Sequence, residues 1–266
     1  MGVFPNVVYL GYGDEKVAQS TRIGGYPLGQ LATLPDGRTF RHAQAGSAAA
    51  LSAGAFVSTT ASVVGHGGVS GSGLLASATA TENLSTHTTV YLTSKSVAIT
   101  VDQYADGSLN VLGPAGSAYI GHIHKIKSNE SAAVSSKVKF VLEPTDGLKV
   151  DWKAGTTSVS LRKSPFKDLI PMDAATVIAP PMGAVPVAVS ASFFFWVQRH
   201  GEASIKQSAT AVTDGAPIMA STVTACSITL ASSAAVSTSI WASNHIGYAM
   251  EGAAASEAVR VFLQLE

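Results

Sequence analysis

No stretch of this chain runs far before a turn signal interrupts it. Pro35-Asp36-Gly37, Ala105-Asp106-Gly107, Pro144 to Gly147 and Asp214-Gly215 recur along its 266 residues. In such clusters Pro presets the first turn dihedral, Asp bonds its own backbone, and Gly accepts positive φ. Between them lie short runs that alternate apolar and polar residues, such as "AYIGHIHKIKS", "SKVKFVLEPTDGLKV" and "EAVRVFLQLE". Alternating runs of about four to eight residues, broken by turn signals every 8–12 or so, are the pattern of a β-sandwich or barrel. The expectation is a mainly β protein: sandwich or barrel modules, an extended N-terminal arm and little helix.

Residues 1–45 read as the arm and a first hairpin. Gly11, Gly13, Gly24, Gly25, Pro27 and Gly29 forbid a continuous element before residue 30, and the hairpin turns at Pro35 to Gly37. Residues 46–163 read as one β-rich domain, with 46–55 either a short Ala-rich helix or a loop into a strand at Phe56. Five prolines (Pro165, Pro171, Pro180, Pro181 and Pro186) mark 164–190 as an extended linker, because proline cannot donate to a sheet ladder. Residues 191–266 read as a C-terminal β domain opened by "SFFFWVQRHGEA". Period-two alternation sets Phe193, Phe195 and Val197 on one face and Phe194, Trp196 and Gln198 on the other. A strand apolar on both faces is central in its sheet or covered by another chain. In the last strand Val259, Val261, Leu263 and Leu265 are expected to point inward.

Charge narrows the function. Seventeen basic and seventeen acidic residues cancel, and charged residues are 13% of the chain, against roughly 25% in ordinary domains. With no basic tract, neither nucleic acid nor an anionic membrane is an expected partner. No run of about 18 apolar residues is present to span a membrane, and the first residues lack the basic-then-apolar order of a secretory signal. Gly2 does not make a myristoylation signal, because position 6 is Asn. Cys226 is the single cysteine, so no intrachain disulfide forms, and its alternating apolar context "VTACSITL" points to a buried, inert thiol.

Few residues group in a way that carries chemistry. His122 and His124, two apart in "GHIHKIK", share one side of a strand, as a metal site would need, but no third ligand stands nearby. The glycine-rich "VVGHGGVSGSG" lacks the Lys-Ser/Thr ending of a phosphate loop and the spacing of a dinucleotide fingerprint. It also lacks the Gly-x-Ser-x-Gly elbow of a hydrolase. No cofactor, metal or catalytic residue is expected. Aromatic and arginine side chains anchor protein interfaces, so Phe4, Tyr9, Tyr12, Tyr26, Arg38 and Arg41, with Trp196 and Arg199, are the candidate contact residues.

Three stretches carry a resemblance: "GGYPLGQLATLPDGRTFRHAQAGSAAALSAGAF", "VDQYADGSLNVLGPAGSAYIGHIHKI", and "SFFFWVQRHGEASIKQSATAVTDGAPIM" followed by "HIGYAMEG" and "VRVFLQL". In that order they resemble the head decoration, or capsid-stabilising (cement), proteins of tailed bacteriophages. Residues 59–99 take no part in it. The resemblance implies a non-enzymatic β-rich protein, made in the host cytoplasm, that binds the major capsid protein on the virion exterior, often as a trimer. Two rivals stand beside it. One is a tail, fibre or adhesin component whose Trp152, Trp196 and Trp241 stack on receptor glycans. The other is a metal-dependent hydrolase using His122 and His124.

Overall fold

A computed structural model describes residues 7–48, 50–60, 74–76, 83–94, 97–113, 121–152, 157–172, 180–208, 211–221, 225, 227–230, 245–254 and 257–265. The protein is mainly β, with 47% of the described residues in strands against 3% in helix. The helical residues described are two three-residue 3-10 turns, Asp14–Lys16 and Ile23–Gly25. Two compact units divide the chain, one made of 1–61 with 165–266, the other of 62–164.

The first unit begins with β1 (Val7–Tyr9), β2 (Ala18–Gln19), β3 (Leu31–Thr33), β4 (Thr39–Gln44) and β5 (Phe56–Ser58). The second holds β6 (Leu74–Ala76), β7 (Thr89–Thr93), β8 (Ser108–Gly113), β9 (Ile123–Asn129), β10 (Lys137–Leu142) and β11 (Ser158–Arg162). The chain then returns to the first unit with β12 (Ile170–Pro171), β13 (Pro181–Ala184), β14 (Phe194–Lys206), β15 (Pro217–Ala220), β16 (Ile228–Leu230), β17 (Gly247–Ala249) and β18 (Ala258–Gln264).

The second unit is a closed six-stranded antiparallel barrel in the order β10-β7-β6-β11-β8-β9. Its strands alternate as their sequences dictate: Ile126, Val138 and Phe140 point into the barrel, while Lys125, Lys127 and Lys137 lie outside. Leu92, Leu109, Val159 and Trp152 help fill the interior. A mainly apolar interior with lysines outside is the reverse of a membrane barrel, which is apolar outside. Separately, no described helix is long and apolar enough to cross a membrane.

In the first unit twelve strands form one sheet, whose main path runs β1-β3-β4-β14-β18-β17-β15-β16. β14 is its spine. Residues Phe194 to Gln198 pair with β4, then the register shifts between Gln198 and His200, and from His200 to Lys206 the strand pairs with β18. The four-aromatic run is therefore central. Phe195 and Val197 enter one cluster with Ala43, Leu51 and Leu169, and Trp196 enters the opposite one with Val8, Leu34 and Phe40. A third cluster collects Val259, Val261 and Leu263 of β18 with Ile205 and Ile218, against which Leu265 is partly buried.

The architecture departs from the sequence reading at four places. Residues 7–30 lie on this chain's own sheet: β1 pairs in parallel with β3, and Val8, Leu10 and Leu28 are buried. The described residues of 46–55 take the loop alternative and lead into a strand at Phe56, but Phe56 to Ser58 join the first unit by pairing with β12 and β13. The proline-rich stretch thus contributes two strands to a sheet. Pro171 and Pro181 stand at strand ends, where a missing N–H is tolerated. The alternating run that continues past Pro144 to Gly147 forms no strand in its described residues up to Trp152, and Leu148 and Trp152 pack into the barrel core as irregular backbone.

Candidate functional site

A cleft of about 770 Å³ opens in the first unit. Its floor is the outer face of β14 and β18, and its rim is built from the Asp14–Lys16 turn, the β3–β4 hairpin tip and residues 250–251. Alternation creates the floor. With Ala203, Ile205, Val261 and Leu263 pointing into the core, His200, Glu202, Arg260 and Phe262 must point the other way.

Backbone geometry brings the rim close. Gly201 has φ +87, and a Cβ there would lie 2.9 Å from Arg38 Cγ and 3.2 Å from Arg38 Cα. Only glycine both accepts that φ and lets the hairpin tip approach β14 so nearly. Arg38 donates to Asp36 through Nε at 2.7 Å, and its backbone N–H reaches Asp36 Oδ1 at 3.1 Å. Burial raises the Asp36 pKa, but the Arg38 backbone and side-chain hydrogen bonds, with the guanidinium charge, outweigh it and hold the carboxyl below its ordinary value.

Two buried polar side chains stiffen the walls. Glu15 is 2% exposed; it accepts from the Gly13 N–H at 2.6 Å and lies 3.7 Å from Arg38 Nη2. Gln198 donates from Nε2 to the Glu202 carbonyl at 2.7 Å. Across the floor Arg260 Nε meets Glu202 at 3.2 Å, and the Arg260 N–H donates to Glu251 at 3.1 Å. Phe262 stacks on Tyr248, with centroids 5.4 Å apart and planes 11° from parallel, and meets His200 edge-on at 5.1 Å. The cleft is thus an aromatic floor walled by carboxylates and guanidiniums that neutralise one another in pairs. Of the eight candidate contact residues it holds one, Arg38. Its other residues come from six separate segments, and no local motif joins them.

The named contact residues separate into two groups. Tyr9 and Tyr12 are 84% and 67% exposed at β1 and just beyond it. Phe4 lies outside the described residues. The rest are held within the chain. Tyr26 packs on Trp196, with centroids 6.1 Å apart, and Arg41 donates to the Gly29 carbonyl at 3.0 Å. Arg199 donates to the carbonyls of Met182 at 2.9 Å and Leu265 at 2.7 Å, pinning the end of the chain. Trp196 is fully buried, so it offers no surface to a partner.

His122 and His124 do share one side, as their spacing requires, with ring centroids 6.2 Å apart. His124 Nδ1 lies 3.2 Å from both the backbone oxygen and Oδ1 of Asp146. Both neighbours are acceptors, so Nδ1 carries the proton. Asp146 also accepts from the Lys125 N–H at 2.5 Å, which fixes the loop after Pro144 onto β9. Among the described residues no three His, Cys, Asp or Glu side chains gather as a metal site. Cys226, Trp241 and the glycine-rich 63–73 lie outside the described residues.

Comparison of the chain with protein families, curated proteins and solved structures returned no match.

Proposed function

We propose that this chain is a structural virion protein of the decoration or cement kind, which binds the outer surface of a phage head and self-associates, as a trimer, over contacts between major capsid subunits. The observation that carries the reading is the outer edge of β1. Among the described residues β1 pairs with β3 alone, so its other side offers a row of unmatched N–H and C=O groups. Tyr9 and Tyr12, beside that edge, are the two most exposed aromatic side chains described. An open strand edge is a template for another chain, and tyrosine supplies a large apolar face with a polar tip at small entropic cost. The quoted resemblance supports the same reading.

The experiment is co-sedimentation of the purified protein with empty phage heads, for the unaltered chain and for Tyr9→Ser/Tyr12→Ser. Both side chains project into solvent, so the double variant keeps its fold. It is expected to lose attachment or trimer formation. Undiminished binding by the variant would remove the β1 edge from the contact, and no binding by the unaltered chain would remove the capsid. The tail or adhesin reading loses two of its three anchors, since Trp152 and Trp196 are buried and present no ring to a sugar.

A further inference from the structure

We infer that the cleft over β14 and β18 is a binding site for a neutral saccharide. Its volume of about 770 Å³ falls among small-molecule sites, which run roughly 300–1,000 Å³. The lining supplies the apolar surface that a pyranose needs in Phe262, Met250, Val185 and Pro186, with the Phe262 ring held by Tyr248 stacked on it and His200 set edge-on. The walls supply what its hydroxyls need. Arg260 and Glu202 are joined by one 3.2 Å contact, and Arg38 and Asp36 by a 2.7 Å one. A guanidinium carries five donors and a carboxylate about four acceptor sites, so each pair keeps donors and acceptors side by side for a hydroxyl that both gives and accepts.

Charge selects against the other ligand classes. Glu15, Asp36, Glu202 and Glu251 face Lys16, Arg38 and Arg260 across the cleft. The sum lies near neutrality and slightly on the acidic side, so phosphate or sulfate esters meet repulsion, and a polycation finds carboxylates already paired. A ligand that is uncharged, dense in hydroxyls and apolar on one face fits all three features. The buried Glu15 and Gln198 fix the walls before binding, which lowers the ordering cost. Saccharide binding here is separate from the β1 edge and does not depend on attachment to a capsid.

The test applies the full chain to an array of neutral, sialylated and sulfated oligosaccharides. Calorimetry with a neutral tetrasaccharide of glucose, galactose or N-acetylglucosamine units follows. Binding of neutral members is expected, with amide shifts at Arg260 and Phe262. Phe262→Leu should weaken it about tenfold or more. Glu202→Ala, at an exposed position, should weaken it with the melting curve unchanged. No neutral ligand, a preference for sulfated ones, or equal affinity in Glu202→Ala would each overturn the assignment.

Discussion

Truncation of Trp196 tests whether the centre of the aromatic run is core. The side chain is fully buried among Val8, Leu10, Leu34 and Phe40, with Tyr26 and His42 against its ring. An indole buries roughly 150–250 Å², which at about 25 cal/mol per Å² comes to about 4–6 kcal/mol. One loss offsets this. Its Nε1 is buried with no acceptor among the described residues, which costs the native state about 1–3 kcal/mol. Trp196→Ala should therefore destabilise the first unit by about 3–5 kcal/mol, the range of large-to-small aromatic changes in cores. Trp196→Phe keeps a ring and deletes the orphaned N–H, so it should cost no more than about 1.5 kcal/mol. Guanidinium unfolding followed by circular dichroism, with hydrogen exchange to separate the units, measures both, because two units need not unfold in one step. An Ala cost under about 1 kcal/mol, a Phe cost equal to the Ala cost, or protection lost in the barrel instead would each refute the reasoning.

Gly201→Ala is expected to cost about 2 kcal/mol or more, since φ +87 is strained for alanine and the new Cβ meets Arg38; Gly37→Ala, at φ +86 with open space around it, should cost only about 1 kcal/mol. Equal thermal shifts for the two would show that close approach to β14 is not what requires Gly201. Arg199→Ala releases the Met182 and Leu265 carbonyls and should cost about 1.5–3 kcal/mol, read as faster amide exchange at the end of β18. The Asp36 pKa is lower folded than unfolded, so its stabilising contribution is present above the unfolded value near 3.8 and is lost as pH falls through the folded one. Asp36→Asn should flatten that acid limb by well under about 1 kcal/mol, because the group is about a third exposed and screened.

What was legible in the sequence was local. The β3–β4 hairpin follows from Pro35-Asp36-Gly37, the inward set of β18 from strict alternation, and the two apolar faces of β14 from its unbroken aromatic run. What was hidden depends on partners far along the chain. Nothing in Gly-punctuated residues 7–30 announces that Val8 and Leu10 cover Trp196, because the β1–β3 pairing is parallel and leaves no hairpin signal. Phe56 to Ser58 belong with β12 and β13, more than a hundred residues on, so the 46–163 stretch could not be divided by composition. Prolines 171 and 181 read as a linker because they forbid a ladder bond, yet at strand ends the forbidden bond is not needed. Arg199 and Arg41 looked like surface anchors, and their carbonyl acceptors lie on segments that no spacing rule connects to them.

The cleft follows from a change of face along β14. Over Phe194 to Gln198 the even-numbered side chains face away from the Phe195 cluster, and the N-terminal segment and Phe40 lie on them. That cover reaches its limit at the Asp14–Lys16 turn and the Asp36 to Arg38 hairpin tip, where the register between β4 and β14 shifts and β4 ends. At the shift the alternation reverses, because Gln198 pairs with Phe40 and His200 with Thr39, neighbours on β4: His200, Glu202 and Ser204 continue the face of Phe195 and Val197, flanked by Arg260 and Phe262 of β18. The bulge at Gln198 to His200 therefore sits where the core around Phe195 and Val197 ends and the open face of β14 begins. The polar side chains there are not decoration on a finished sheet. Gln198, buried at that boundary, donates to the Glu202 carbonyl of β14, and the buried Glu15 holds the Gly13 N–H and faces Arg38, so residues that end the packing also line the cavity.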